Sequence, residues 1–514
     1  MPITSTTVGG HPAEVGPEAF TSEVSLPSED YIEKAFPRVH TTWDLTCLFV
    51  IILFFITNDG TAAAGGPAGL TLWVIGGLLF FIPCAIATAQ LGVLFPHEGS
   101  LYSWTHKAFG GYWSFLVGFS AWVPSSLLIL ATSDLVVSIV QGLNPKWLAD
   151  PRSQGAAMLV VIIFTSIIAV QRQRMLQNLV NIIFVAILLG TGLVFLSGLV
   201  WLIHGNPSAT PFNQPAGWNP FSSANYPLFG TIVLGFLGVN LPLNVGGELA
   251  ASNEGTKRRT IKRHLFWGSM IVLVCYLAST LGVLIVQGQN ASFNLFAPVS
   301  TVSTALGPIA GDVAAVCIMT TLVIATVVYN YIFARFILVG SIDGRLPTRF
   351  GKLNRRRTPA NAIFLQTGFA CLLVILIFLV IPYVGLLSGP PAHLAASFYF
   401  VSVGAATVLW AFATCFLFIN VLRLMARGRA RWRPLQIFPS WLLGSSSVIG
   451  LLVGLAAIID TVFNSYDPPP AGDLNNTTWF WLVTGLTVIL VVFGAIIAVL
   501  ASGEAGWQKM RGEE

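Results

Sequence analysis

A break within one apolar segment decides the fold, and it reads Gly235-Phe-Leu-Gly-Val-Asn-Leu-Pro-Leu-Asn-Val-Gly-Gly-Glu248. Pro242 has no backbone N–H to donate and the four glycines weaken a helix, so the segment is expected to unwind. Asn240 and Asn244 can pair with the backbone groups that unwinding frees. Because irregular backbone at membrane depth is tolerated only where it lines a cavity or is buried in protein, this break predicts a site.

A second break, Ile56-Thr-Asn-Asp-Gly-Thr61, ends an earlier apolar run with polar residues and a glycine. Two interrupted helices in corresponding positions indicate a transporter built from two repeats of opposite topology. In such a site half-helix N-termini face an anion and unwound carbonyls face a cation, which together suit a zwitterion. The alternative is that both breaks are kinks that serve helix packing.

The composition places these breaks in a membrane. Of the 514 residues, 55% are hydrophobic and 9% are charged, and the mean hydropathy is +0.77. A water-soluble chain carries about 25% charged residues, so a soluble globular protein is excluded. The six cysteines are scattered singly within apolar segments, which favours small buried residues over disulfides or metal ligands.

Runs of about 20 apolar residues are long enough to cross the hydrocarbon layer as helices. The sequence predicts an all-α polytopic protein with twelve transmembrane spans, centred near 43–59, 69–94, 112–142, 155–171, 175–204, 228–251, 264–288, 309–341, 360–387, 395–425, 438–463 and 478–502.

The positions of the basic residues predict the orientation. All but Lys146 and Arg152 of the 26 Lys and Arg residues fall on one side of the predicted spans. The positive-inside rule places that side, and both termini, in the cytoplasm of a multi-pass protein of the cell membrane. This distribution accounts for the net charge of +5 without a nucleic-acid partner, and the basic loops can contact anionic membrane lipids.

Acidic residues within the spans are candidate functional groups, because an ionisable side chain there is costly. Asp134 lies in the outer half of span 3, Asp312 at the outer start of span 8 and Asp460 at the outer end of span 11. We interpret these three as hydrated acids at an interface or in a vestibule. Asp59 lies inside the break at 56–61. It is therefore the deep acid that we expect to carry a proton or to pair with a substrate amine.

Several motifs resemble those of the amino acid, polyamine and organocation (APC) superfamily of permeases, over roughly residues 43–365. They are Gly65-Gly-Pro-Ala-Gly-Leu70, Ala89-Gln-Leu91, Phe95-Pro-His-Glu-Gly-Ser-Leu-Tyr102, Phe236-Leu-Gly-Val-Asn240, Ala334-Arg335, Asp343-Gly-Arg-Leu-Pro347 and Thr358-Pro359.

The resemblance implies a five-plus-five inverted-repeat fold that works by alternating access, with substrate between spans 1, 3, 6, 8 and 10. The expected parts are an N-terminal tail (1–42), a first repeat of helices 1–5 (43–204), a second repeat of helices 6–10 (205–425), helices 11 and 12 (426–502) and a C-terminal tail (503–514).

Three positions depart from the family pattern. Gln90 replaces an acidic residue of span 2, Asn240 replaces a glutamate of span 6, and the nearest counterpart of a Gly-Ser-Gly motif in span 1 is Asn58-Asp59-Gly60. These departures leave the substrate's side chain open.

The predicted substrate-binding residues come from spans 1, 3 and 6: Thr57, Asn58, Asp59, Gly60, Trp122, Ser125, Phe236, Gly238 and Asn240. Trp122 and Phe236 are candidates for an aromatic lid; a membrane-interface anchor is the alternative for Trp122. Asp59 and Thr326 are the coupling candidates. Span 5 contains no lysine that could take the place of a bound sodium ion. The span 8 hydroxyls of Thr320, Thr321 and Thr326 either help to bind sodium or bond back to their own helix.

The leading hypothesis is a secondary-active permease for a small amino acid or related amine. The alternatives are an amino acid/amine exchanger and a nutrient sensor that binds without transport. An enzyme is disfavoured because the seven histidines are dispersed and form no metal-binding spacing, so no metal or cofactor is expected. Coupling to H⁺, to Na⁺, to exchange or to nothing stays open, as do direction and oligomeric state.

Overall fold

A computed structural model describes residues 26–251, 253–385, 389–427, 436–465 and 474–512. The predicted N-terminal tail up to residue 25 and the last two residues of the C-terminal tail lie outside the described residues. Within the described residues the regular elements are helices, apart from an isolated bridge between His40 and Leu249.

Eleven helices in the described part of the chain are long and apolar enough to cross a membrane. They are Thr42–Ala64, Pro67–Leu94, Gly111–Leu143, Pro151–Ala169, Gln173–Ile203, Gly255–Val286, Pro308–Ile342, Ala360–Tyr383, Pro391–Arg427, Ser440–Phe463 and Asn476–Gly503. We number them spans 1–5 and 7–12, because the predicted span 6 lies between the fifth and the sixth of them as two short pieces.

Span 1 is interrupted near its middle. Its first helix, Thr42–Leu53, starts with a capping box in which Thr41 and Asp44 bond each other's backbone N–H groups. The chain is extended at Phe54 and Phe55 and becomes helical again through Ile56–Asn58 and Asp59–Ala64. The break predicted at 56–61 is therefore present but begins two residues earlier.

Span 6 consists of the helix Phe229–Leu234 and the 3-10 helix Leu241–Glu248. Between them Gly238 has a φ of +106°, a conformation that a residue with a Cβ rarely adopts. The Asp460 carboxylate accepts a hydrogen bond of 2.7 Å from the Gly230 backbone N–H at the start of the first piece. Asp460 is 1% exposed, so its interpretation as a hydrated acid is wrong: packing around the broken helix has removed it from solvent.

The loops that join spans 2 to 3, 6 to 7 and 8 to 9 lie at one end of the bundle, which we call the basic face because the predicted Lys and Arg clusters fall there. A short helix, Pro27–Ala35, packs on this face. Glu29 of this helix forms an ion pair of 2.9 Å with Lys107, and the Ser28 backbone N–H donates to Asp343 at 3.0 Å. The residues just before span 1 therefore cover the basic end of the bundle.

Candidate functional site

A cavity of about 670 Å³ lies between the interrupted spans. Spans 1, 3, 6, 8 and 10, the five that the family resemblance implies, all contribute to its wall. The contacting residues from these spans include Phe55, Thr57, Asn58, Leu128, Thr132, Asp134, Ser138, Thr231, Gly235, Tyr329, Tyr399 and Trp410. Both breaks reach the wall, so the unwound backbone does line a cavity.

The cavity extends toward the face opposite the basic face. Gln141 is near the last residue of span 3, whereas Gln154 and His393 are near the first residues of spans 4 and 10, and all three line the cavity. Phe293, from the segment between spans 7 and 8, lines it as well. These residues belong to helix ends and a connection on that opposite side.

The basic end of the cavity is separated from the basic face by a buried charged cluster. Arg335 of span 8 lies 2.5 Å from Glu248 of span 6, and His40, just before span 1, lies 3.6 Å from the same carboxylate. Arg335 also donates to Gln173 of span 5 at 2.9 Å. Burial raises the pKa of nearby Glu98, an effect that the positive charge of Arg335 opposes. The cluster ties spans 5, 6 and 8 to the segment just before span 1.

Tyrosine hydroxyls satisfy the backbone carbonyls that the break in span 1 frees. Tyr329 donates to the Ile52 carbonyl at 2.5 Å, and Tyr276 donates to the Leu53 carbonyl at 2.8 Å. The Tyr276 oxygen also accepts from the Phe55 backbone N–H and from the Asn58 amide, each at 3.2 Å. These bonds explain why span 1 can unwind at this depth without leaving the two carbonyls unpaired.

Among the predicted substrate-binding residues, Thr57 and Asn58 line the cavity. Asp59 is fully buried and faces span 7, where the Ser279 and Thr280 hydroxyls each lie 2.9 Å from its Oδ1. The carboxylate therefore joins span 1 to span 7 and lies outside the cavity wall.

Gly60 is a point of close approach between span 1 and a later segment. Its carbonyl accepts from the Phe293 backbone N–H at 2.9 Å, and a Cβ at position 60 would lie 2.8 Å from the Asn294 carbonyl oxygen. The glycine thus allows the segment before span 8 to lie against span 1.

The predicted lid residues pack away from the cavity. Phe236 is fully buried and stacks on Phe81 with ring centroids 4.6 Å apart. Trp122 of span 3 donates to Gln366 of span 9 at 3.1 Å. Ser125, also on span 3, is fully buried. None of the three is among the described residues of the cavity wall. Aromatic side chains that do reach the wall include Phe55 and Tyr329, whose rings stack at 6.1 Å.

Gly238 and Asn240 lie at the unwound part of span 6 but contact other side chains. A Cβ at Gly238 would meet the Trp410 ring at 3.2 Å. The Asn240 amide donates to the Ser100 hydroxyl at 3.1 Å, and that hydroxyl donates to Asn244 at 2.5 Å. Both asparagines therefore hold the connection after span 2, whereas we expected them to pair with freed backbone groups of span 6.

The candidate coupling hydroxyls of span 8 bond to carbonyls of their own helix. Thr320 and Thr321 donate to the Cys317 carbonyl at 3.0 and 2.8 Å. The Thr326 hydroxyl lies 2.9 Å from the Leu322 carbonyl oxygen and 2.7 Å from the Thr132 hydroxyl. This is the helix-bonded alternative that the sequence left open, with an added contact from Thr326 to the cavity-lining span 3.

Asp134 lines the cavity although it is not among the predicted substrate-binding residues. The Tyr399 side chain of span 10 hydrogen-bonds to its carboxylate. Asp134, Ser138 and Gln141 recur at intervals of four and three residues, so they share one face of span 3. That polar stripe on an apolar helix was the available signal.

Residues 41–510 match the sequence profile of the family described as amino acid permease. The chain belongs to the amino acid permease family. This assignment confirms the resemblance drawn from the motifs, and with it the interpretation of the protein as an integral membrane transporter.

Two relatives illustrate how far the permease has diverged. An uncharacterized transporter of Legionella pneumophila is 25% identical over 405 residues, which cover 72% of this chain and 81% of the relative. A branched-chain amino acid permease of Lactococcus lactis is 23% identical over 395 residues, which cover 72% of this chain and 82% of the relative. Both similarities extend over most of each protein.

The fold is also that of a solved transporter. A manganese transporter of Eremococcus coleocola superposes with a TM-score of 0.58 at 14% identity, covering 90% of this permease and 94% of that chain. The predicted all-α fold of APC type, with spans 1 and 6 broken, is thereby confirmed. Among the described residues no group of three or more His, Cys, Asp or Glu side chains is placed to hold a metal ion.

Proposed function

We propose that this protein is a secondary-active permease that moves a small amino acid or related amine across the cell membrane by alternating access. The observation that carries the proposal is the cavity between the two broken spans. It reaches one face of the bundle and is closed from the other by the buried cluster around Glu248 and Arg335. Alternating access requires such a one-sided cavity in each of its end states.

The proposed orientation follows from the basic residues. With the basic face in the cytoplasm, as the positive-inside rule favours, the cavity faces outward and both termini are intracellular. The basic loops then lie beside the anionic lipids of the inner leaflet. The repeat borders proposed are 43–204 and 205–425, followed by helices 11 and 12 over 426–502.

The relatives support the substrate class. Their names include a lysine-specific permease of Escherichia coli and a probable agmatine/putrescine antiporter of Lactococcus lactis, which carry an amino acid and amines respectively. The antiporter favours exchange as a second mode of transport for this chain. Coupling to H⁺ or Na⁺ is the other mode proposed.

Uptake of labelled amino acids and amines into proteoliposomes tests the function. Each compound is offered with an inward proton gradient, with an inward sodium gradient, or with the same compound preloaded inside, and protein-free liposomes serve as the control. Accumulation of any compound establishes a carrier, and the condition that drives it names the coupling. Thermal stabilisation by a compound that is not taken up under any condition would instead favour a sensor.

A further inference from the structure

The structure assigns a role to Asp134 and Tyr399: we propose that they bind a positively charged side-chain group of the substrate, so that the preferred substrate is a cationic amino acid or amine. This inference rests on the proposed function and deepens it, because it names the substrate's charge and the residues that select it.

The first argument is the charge of the cavity wall. Asp134 is the one carboxylate among the described wall residues, and that described wall contains no Lys or Arg. A carboxylate at membrane depth is costly unless a cation, a proton or strong hydrogen bonds compensate it. The described part of the wall supplies a hydrogen bond from Tyr399 but no fixed cation. A cationic group on the ligand would complete the site.

The second argument concerns three other acids of the spans, which are engaged elsewhere. Asp59 accepts hydrogen bonds from span 7, Glu248 is paired with Arg335, and Asp460 accepts from the Gly230 backbone N–H. None of these three carboxylates is among the described residues of the cavity wall. A ligand ammonium in the cavity therefore meets Asp134.

The third argument is the distance between Asp134 and the break in span 1. The contact between Thr132 of span 3 and Thr326 of span 8 places these two residues at the same height in the bundle. Asp134 follows Thr132 by two residues toward the open end, and Tyr329 follows Thr326 by three residues toward the basic end. At 1.5 Å per residue, Asp134 lies about 8 Å outward of Tyr329, whose hydroxyl bonds the first freed carbonyl of span 1. The four-carbon stem of a lysine side chain covers a distance of this order.

The surroundings of Asp134 suit an alkyl stem with a charged end. Leu135, Phe378 and Phe400 line the same cavity and offer apolar surface to methylene groups. Among the described wall residues near the open end, His393 and Tyr399 are the ionisable groups besides Asp134. The Asp134 carboxylate and these apolar side chains together form a site for an alkyl chain that ends in a cation.

Two pairs of probes test the proposal. Lysine and norleucine have similar shapes but differ in the terminal ammonium, and cadaverine and 1-pentylamine differ in the same way. Binding of each probe to the purified full-length protein is measured for the wild type, Asp134→Asn, Tyr399→Phe and Asp312→Asn. Asp312 is exposed at the end of span 8 and lies outside the described cavity wall, so its variant is the matched control.

We expect the wild type and Asp312→Asn to prefer the member with the additional ammonium, in at least one pair, by about tenfold or more, the scale of one charge-assisted hydrogen bond. Asp134→Asn should abolish that preference while keeping the affinity for the member that lacks the additional ammonium, which also shows that the variant is folded. Tyr399→Phe should reduce the preference by a smaller factor, because it removes one hydrogen bond and keeps the carboxylate.

Three results would overturn the proposal: no preference for the member with the additional ammonium in either wild-type pair, no binding of any probe, or an equal loss of both members in Asp134→Asn. An equal loss of both members would indicate that Asp134 binds the group that the two members share, or that it binds a proton. If other compounds are still taken up into proteoliposomes, the permease function survives the failure of this inference.

Discussion

The Arg335 guanidinium lies 2.5 Å from Glu248 Oε1, and both side chains are excluded from solvent at the basic end of the cavity. The pair joins span 8 to the second piece of span 6. The Arg335 guanidinium also stacks on the Phe36 ring at 4.3 Å, so residues that precede span 1 cover the same pair. Closure of the basic end thus depends on contacts among three segments that are distant in sequence.

Glu248→Gln should strongly destabilise the protein, because it leaves the buried Arg335 without its closest counter-charge. Removing one partner of a buried ion pair costs about 3–5 kcal/mol, whereas replacing both partners by apolar residues is often nearly neutral. The double variant Glu248→Leu/Arg335→Met should therefore have a higher unfolding temperature than Glu248→Gln. Thermal unfolding in detergent measures both, and a double variant that unfolds below the single one would contradict the expectation.

Asp59→Asn should reduce the transport rate while leaving the protein folded and its ligand affinity nearly unchanged. The amide oxygen still accepts from Ser279 and Thr280, so the contact to span 7 is weakened and not lost. Because Asp59 lies outside the described cavity wall, binding should not change with it. Uptake rates and equilibrium binding on the same preparation separate the two effects. A loss of affinity comparable to that of Asp134→Asn would place Asp59 in the binding site.

The sequence predicted the spans and their breaks because both are local properties. Apolar runs of sufficient length must cross the membrane as helices, and Pro242 with the glycines of span 6 prevents a regular helix wherever that segment lies. The observed break in span 1 begins at Phe54, two residues before the predicted one. Tyrosines from spans 7 and 8 supply hydrogen-bond partners there for the freed carbonyls. Those tyrosines are more than 200 residues away in the chain.

The directions of side chains could not be predicted in the same way. Successive residues of a helix point about 100° apart, so Asn58 lines the cavity whereas its neighbour Asp59 faces span 7. For the same reason Phe236 packs on Phe81 although it lies in the broken span. The polar stripe on span 3 marked Asp134 as a candidate, but only the packing of the other spans shows that Asp59 faces span 7.

His106 should make stability fall in mild acid. Burial and the nearby positive charges of Arg345 and Lys107 lower the pKa of His106 to about 4, below its usual value of about 6.5. The unfolded chain therefore binds the proton more readily, so this contribution to stability is complete above about pH 6.5 and is lost as the pH falls toward about 4.

His106→Gln should lose less stability than the wild type between pH 7.5 and pH 5, since glutamine does not titrate in that range. Acids with raised pKa values, such as Glu29, respond in the opposite direction, so the difference between the two proteins is the informative quantity. Unfolding temperatures at both pH values measure it. A His204→Gln variant, altered at an exposed histidine, should follow the wild type, and an identical pH response of His106→Gln would contradict the prediction.

Gly60→Ala should impair transport by displacing the segment that covers the open end of the cavity. The new Cβ would lie 2.8 Å from the Asn294 carbonyl oxygen and 3.3 Å from that of Ala291, and backbone atoms cannot rotate away as a flexible side chain can. Overpacking of this kind costs about 1–3 kcal/mol. The displaced segment includes Phe293, which lines the cavity, so ligand affinity and uptake should both fall.

Gly192→Ala is the matched control for this substitution. Gly192 lies within the span 5 helix, and a Cβ there would meet no atom within 4 Å. Alanine at such a helical position should be neutral or stabilise the protein by roughly 0.5–1 kcal/mol. Uptake and unfolding temperature are compared for the two variants. Equal behaviour of Gly60→Ala and Gly192→Ala would mean that the contact between span 1 and the segment before span 8 can relax without affecting the cavity.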